Sequence, residues 1–320
     1  MTQQSQCEHL SFTPRDLTIS YLEIPEQLEA HTEKLRLGLN RYNLNMMDAD
    51  THFRGSIKHL GYSSLADISQ STIVDLALRF AIWPAISTYH DAPWLAPFAI
   101  RRVRRRTEPN APGPKRDLWG LPTKDGYFTD DNSLIKSLAL RRPLSPNNPY
   151  GNSVITRGLV CCHIWSGTTT SPLLFSFVPN LVWLPKSLAP LSDAHSDSVP
   201  HPVHHALKQV SRERYGLIHT NNRVAKAWQL LGPPPLQLLT PQVNTELADC
   251  GKIATLAKQR IDRMIYFLET LDSGHEKPER FSKRYHAGVG RGIDKSVRPL
   301  QTSTSKTVRR SLVAEMRKCL

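Results

Sequence analysis

The chain has 320 residues, of which 39% are hydrophobic and 22% are charged, a composition typical of a soluble globular protein with one large domain or two modest ones. Its net charge of +13 favours a polyanionic partner such as nucleic acid. No apolar run approaches the ~20 residues that cross a bilayer, and the polar start MTQQSQCEHL does not have the layout of a signal peptide. We therefore expect a cytoplasmic protein with no membrane partner and no small-molecule cofactor.

The first part of the chain predicts helices followed by a cluster of arginines. Apolar residues on a helical period predict helices over Pro25 to Tyr42 and Ser71 to Phe80. RRVRRR follows, and the connector TEPNAPGPKR after it is the best candidate domain boundary. The arginine run is either a solvated helix end or a segment that contacts phosphates. In the second case the nucleic-acid-binding side chains are Arg101, Arg102, Arg104, Arg105 and Arg106, with Lys186 further along the chain.

Acidic and sulfur-containing residues raise the question of metal binding. Asp130 and Asp131 precede an apolar pair and can cap a helix that starts near Ser133, although two adjacent carboxylates can also bind a metal ion. The five cysteines include the adjacent pair Cys161 and Cys162, but none forms a C-x-x-C motif. We expect reduced thiols, with the adjacent pair inside a strand.

The central segment predicts a strand–loop–strand–helix unit. Leu159 to Ile164 and Leu174 to Val178 are short apolar runs that predict two strands, and 168–172 connects them. His163 lies at the end of the first run, Asn180 follows the second, and a helical turn or two is predicted over Lys186 to Leu191.

The remaining segments predict two helices and a basic tail. Apolar periodicity predicts helices over Val203 to Tyr215 and about Thr245 to Leu271, and a short helix near Arg310 to Met316. The residues after Ser273 are rich in lysine and arginine, the pattern of a flexible arm that binds nucleic acid. His201, His204 and His205 at the start of the first helix have a spacing that permits a metal site, but histidines beside prolines are usually surface residues.

The segments CHIW around His163 and NLVWLP from Asn180 resemble the ββα-metal finger of the HNH nucleases. The resemblance implies that His163 is a general base that activates water against a phosphodiester, and that Asn180 orients the histidine-bearing loop. It also implies one divalent cation, magnesium or alternatively manganese. Histidine is suited to this role because it exchanges a proton near neutral pH without a large pKa shift.

The match departs from the family pattern at two positions. Ala189 stands where many members have a metal-binding histidine, and Cys162 stands where an aspartate ligand is frequent. A carboxylate common in the family does match at Asp193. The resemblance therefore implies a metal held by Asp193, with His195 or an acid from elsewhere such as Asp130 or Asp131.

The predicted fold class is α+β, a mainly helical protein with an embedded HNH-like finger and a flexible basic C-terminal tail. The predicted regions are 1–110 helical, 111–225 finger, 226–272 helical and 273–320 tail. The predicted function is a metal-dependent DNA endonuclease, restriction-type, for which a two-fold symmetric dimer would be suitable. The alternatives are a catalytically inert nucleic-acid-binding protein that keeps the finger as a scaffold, favoured by Ala189, and a basic RNA-binding protein.

Overall fold

Helices and two small sheets make up the described part of the chain, in agreement with the predicted α+β class. The computed structural model describes residues 48–101, 128–130, 135, 150, 158–192, 201–218, 221–232, 245–247, 252–273 and 305–319. All of them belong to one compact unit, Leu44–Leu320. The helix predicted over Pro25 to Tyr42 lies outside the described residues, and so does the predicted connector after the arginine run.

Five of the seven described helices begin at polar capping residues. Asp48 accepts a hydrogen bond from the Thr51 amide at 2.8 Å, and Asn221 accepts one from the Val224 amide at 3.0 Å. The helices are α1 (Ala49–His59), α2 (Gln70–Phe80), α3 (Ile86–Asp91), α4 (Pro202–Tyr215), α5 (Asn222–Leu231), α6 (Lys252–Ser273) and α7 (Lys306–Arg317). Within the described ranges, none of them combines the length and apolar content needed to span a membrane. The helices predicted over Ser71 to Phe80 and Val203 to Tyr215 are confirmed as α2 and α4.

Two pairs of strands form the sheets. The strands β1 (Ala99–Arg101) and β2 (Phe128–Asp130) pair in parallel. The strands β3 (Leu159–His163) and β4 (Leu181–Pro185) pair antiparallel, with His163 opposite Leu181 and Leu159 opposite Pro185.

The predicted second strand over Leu174 to Val178 is wrong. This segment forms turns, in which the Phe175 amide donates to the Ser171 carbonyl at 2.8 Å and the Asn180 amide donates to the Phe177 carbonyl at 2.8 Å. Its apolar side chains are buried although the backbone forms turns and not a β-strand. Apolar periodicity alone does not distinguish a buried turn from a buried strand. Asn180 therefore precedes the second strand of the hairpin.

The start predicted for the long C-terminal helix, near Thr245, is also wrong. Thr245 and Leu247 are extended and bond to Trp83: the Trp83 amide donates to the Thr245 carbonyl at 3.1 Å, and the Leu247 amide donates to the Trp83 carbonyl at 2.8 Å. These long-range backbone bonds satisfy groups that a helix would have used, and the helix begins at Lys252.

One apolar core joins the hairpin to the helices on both sides of it. Trp183 of β4 is fully buried, and its backbone pairs with Ile82. Side chains from α1, α2, α4 and α5 complete the core, among them Phe53, Leu76, Leu207 and Trp228. The hairpin is therefore embedded in the protein, and its position is set by the surrounding helices.

The N-terminus of α1 fixes the end of the hairpin that lies away from His163. The Asp50 carboxylate accepts a hydrogen bond from the Ser187 amide at 2.6 Å, and the Lys186 amide donates to the Gly158 carbonyl at 2.8 Å. Gly158 has φ +80°, and a Cβ atom there would lie 2.5 Å from the Asp50 nitrogen. Only glycine allows this close approach.

The last described segment packs against α6. Leu312, Val313 and Met316 of α7 form a second apolar cluster with α6 residues and with Phe98. The Asp272 carboxylate accepts a hydrogen bond from Arg309 at 2.7 Å. The short helix predicted near Arg310 to Met316 is present and longer than predicted, and this part of the basic tail is docked on the protein.

Candidate active site

His163 is the last residue of β3, and its ring is anchored to the loop that follows. Its Nε2 atom lies 2.8 Å from the Phe175 carbonyl oxygen, and the two rings stack with centroids 5.6 Å apart. A carbonyl oxygen can only accept, so Nε2 carries the proton of the neutral ring and Nδ1 carries the lone pair. The tautomer of His163 is thus determined by a backbone group.

The surroundings of His163 favour the neutral ring. Burial is the largest cause that lowers the pKa of His163 to about 4; the hydrogen bond to Phe175 opposes this shift, and the positive charge of Arg101 adds to it. The residue nevertheless keeps part of its surface exposed. At neutral pH the His163 ring is therefore uncharged.

The Asn180 side chain makes hydrogen bonds within the loop between the two strands. Its side chain is fully buried, and its Oδ1 accepts a hydrogen bond from the Trp165 amide at 2.9 Å. Its Nδ2 donates to the Thr168 hydroxyl and to the Leu174 carbonyl, each at 2.9 Å. The Thr168 hydroxyl in turn donates to the Trp165 carbonyl at 2.6 Å.

These bonds connect both ends of the loop to one amide group. Trp165 lies two residues after His163, and Leu174 directly precedes Phe175, whose carbonyl binds the His163 ring. Only an amide side chain accepts on one atom and donates twice from the other without adding charge. Asn180 thereby holds together the loop that follows His163.

Arg101 is the described member of the arginine run, and it lies near His163. It ends β1, and its charge is close enough to His163 to lower the pKa of that ring. The parallel register places Arg101 opposite Asp130, one of the acids suggested as a metal ligand. The pairing of β1 with β2 thus brings a segment distant in sequence to the same side of the molecule as His163.

The other predicted site residues are placed apart or lie outside the described ranges. Lys186 is exposed at the opposite end of the hairpin, roughly 15 Å from His163 at ~3.3 Å of strand rise per residue. Cys161 and Cys162 are buried within β3, which confirms the prediction that they are strand residues. The residues outside the described ranges are Asp193, His195, Arg102, Arg104, Arg105 and Arg106.

A buried histidine of α4, His204, lies beside the loop that follows His163. Ala189 begins a short 3₁₀ turn, Ala189–Ser192, and the long helix after the hairpin is α4. His204 in the first turn of α4 is 2% exposed and adjacent to the backbone of Ile164, the residue after His163. Neither of its ring nitrogens makes a hydrogen bond of standard geometry. The histidine spacing alone could not reveal this, because His204 lies 41 residues after His163 in the sequence.

The described residues contain no group of three or more histidine, cysteine, aspartate or glutamate side chains that could hold a metal ion. His204 lies buried beside the loop that follows His163, with its imidazole close to the Ile164 backbone. The ligands implied by the resemblance, Asp193 and His195, lie outside the described ranges.

Comparisons with protein-family models, with curated proteins and with solved structures give no match for this chain.

Proposed function

We propose that this protein is a DNA endonuclease that hydrolyses a phosphodiester with His163 as the general base and with a divalent cation, magnesium or manganese. The observation that carries the proposal is the hydrogen bond from Nε2 of His163 to the Phe175 carbonyl. It leaves Nδ1 as an unprotonated nitrogen on a loop that Asn180 holds, close to the charge of Arg101.

In the proposed reaction Nδ1 of His163 accepts a proton from a water molecule. The water oxygen forms a bond to phosphorus while one bond between phosphorus and a sugar oxygen breaks. The negative charge of a bound phosphodiester would offset the effect of Arg101, the smallest of the three causes, and would so raise the pKa of His163. A base that is neutral in the free protein thereby becomes a stronger proton acceptor in the complex.

The divalent cation is part of the proposal. Its ligands would be Asp193 and His195, as the resemblance implies, and His204 in place of the histidine absent at Ala189. When bound, the cation supplies positive charge for the oxygen that leaves phosphorus. Hard cations such as magnesium favour oxygen ligands, whereas manganese accepts imidazole more readily, so the presence of His204 favours a test with both.

The proposal is tested by nicking of a supercoiled plasmid with magnesium or manganese. The informative variant is His163→Gln, because the glutamine amide can still donate to the Phe175 carbonyl but has no basic nitrogen. We expect the rate to fall by about 10²–10⁴-fold, the usual contribution of a general base. His90→Ala is the matched control, since His90 is exposed on α3.

Each outcome of the assay distinguishes the proposed activities. Cleavage by the wild type that is lost with His163→Gln and with removal of the metal supports the nuclease. Full activity of His163→Gln would contradict the assignment of the base. DNA binding without cleavage under either metal would instead assign the inert scaffold function, for which Ala189 is the supporting feature. Linear product formed at one position of the plasmid would support the restriction-type activity and a dimer.

A further inference from the structure

Two positively charged side chains of α4 lie over one tryptophan ring beside the His163 loop. Lys208 and Arg212 are one helical turn apart and therefore share a face of α4. The Lys208 Nζ is 6.0 Å from the centroid of the Trp165 ring, and the Arg212 guanidinium carbon is 5.8 Å from it. Trp165 is buried, and its amide is the one bound by Asn180.

The position of this pair is fixed relative to the proposed base. Trp165 lies two residues after His163, and α4 also contacts the other end of the loop, because the Ser211 hydroxyl donates to the Pro179 carbonyl. Arg212 is held further by a hydrogen bond to the Leu231 carbonyl at 3.1 Å. The two cations are therefore presented by a rigid helix next to the site and not by a free surface loop.

The pair carries positive charge that the described residues do not neutralise. Among the described ion pairs, none joins a carboxylate to Lys208 or to Arg212. Glu213, the neighbouring acid on α4, accepts a hydrogen bond from Gln209 instead. Both cations are half-buried, and the pKa of Lys208 is lowered by burial first and by the Arg212 charge second. Two adjacent, partly desolvated cations form an environment in which a bound anion is stabilised.

We propose that Lys208 and Arg212 bind a backbone phosphate of duplex DNA next to the phosphodiester that faces His163. This inference rests on the proposed function and adds a binding site on α4 to it. A phosphate suits the pair because its oxygens can accept from an ammonium and a guanidinium group together. The net charge of +13 favours such a polyanion over a single small anion. The contact fixes the position of the duplex and carries no base specificity.

The test measures DNA affinity against salt concentration in a His163→Gln background, in which the duplex stays intact. Lys208→Gln removes one charge, and we expect the slope of log affinity against log salt to become shallower by about 0.9, the value for one lost phosphate contact. Lys226→Gln, an exposed lysine on α5, is the matched control and should keep the parental slope. An unchanged slope for Lys208→Gln would overturn the site.

A second measurement leaves Lys208 unchanged, so it can be made even if the Lys208→Gln variant does not fold. Lysine acetylation of the His163→Gln protein is mapped by mass spectrometry with and without a duplex. We expect the duplex to protect Lys208 and not Lys226; equal modification of Lys208 in both samples would overturn the site. Because neither measurement uses cleavage, the phosphate site can stand if the nuclease assay fails, and it can fail while the nuclease activity stands.

Discussion

At the scale of single residues, the site depends on which nitrogen of His163 carries the proton. A histidine free in solution exchanges between two tautomers, whereas the Phe175 carbonyl selects one. The selection depends on Phe175 being presented at the right point of the loop, and Asn180 holds the adjacent Leu174 carbonyl. Catalysis by His163 would therefore depend on a residue that does not contact the substrate.

Asn180→Ala is expected to destabilise the protein by about 2–4 kcal/mol, because it leaves the buried Trp165 amide without its acceptor and creates a cavity. Urea unfolding measures the loss. Asn222→Ala, at an exposed position of α5, is the control and should lie within about 0.5 kcal/mol of the wild type. An equally small loss for Asn180→Ala would contradict the clamping role of this side chain.

At the scale of secondary-structure elements, the sequence predicted local patterns well and long-range pairings poorly. The spacing of Ile73, Leu76 and Phe80 was enough to predict α2, since a helix buries residues on a single period. The backbone conformation of Leu174 to Val178 was not predictable, because buried turns and buried strands have the same apolar composition. The partner of Trp83 near Thr245 is more than a hundred residues away, and no local signal reports such a contact.

In the candidate site, too, local sequence patterns could be predicted and long-range contacts could not. His163 and Asn180 could be identified because they lie close in sequence within a recognisable pattern. The approach of Arg101 to His163 depends on how β1 packs, and the approach of His204 to Ile164 depends on where α4 lies after its preceding loop. Both are properties of tertiary packing, which the order of residue types alone does not determine.

The contact between the hairpin and α1 predicts different effects for two glycines that share a positive φ. Gly158→Ala should cost at least about 3 kcal/mol, because its Cβ atom would lie within 3 Å of backbone atoms of α1 in addition to the strain of positive φ. Gly167→Ala, with φ +71° and nothing within 4 Å, should cost only about 1–2 kcal/mol. Urea unfolding of both variants checks this. Equal losses would mean that the hairpin end does not pack against α1 as described.

At the scale of the whole molecule, the chain carries a net charge of +13, and several of its described histidines are buried or half-buried. Burial lowers the pKa values of His52, His201 and His204, and lowers that of His163 to about 4. In the unfolded chain these groups titrate near 6.5. Between pH 6.5 and 4 these histidines therefore bind more protons in the unfolded chain than in the folded protein, and their contribution lowers stability as the pH falls through this range.

His163 alone should contribute a slope of at most about 1.4 kcal/mol per pH unit between pH 6 and 4.5, because one proton is bound by the unfolded state and not by the folded one. The measurement is the free energy of unfolding in urea at several pH values for the wild type and for His163→Gln, and the variant should show the shallower slope. Asp75 and Glu213, whose pKa values are raised by burial, act in the opposite direction at low pH, but they are common to both proteins and cancel in the difference. Identical slopes would mean that His163 takes up a proton as readily in the folded protein as in the unfolded chain, which would contradict the neutral, carbonyl-anchored ring on which the proposed base depends.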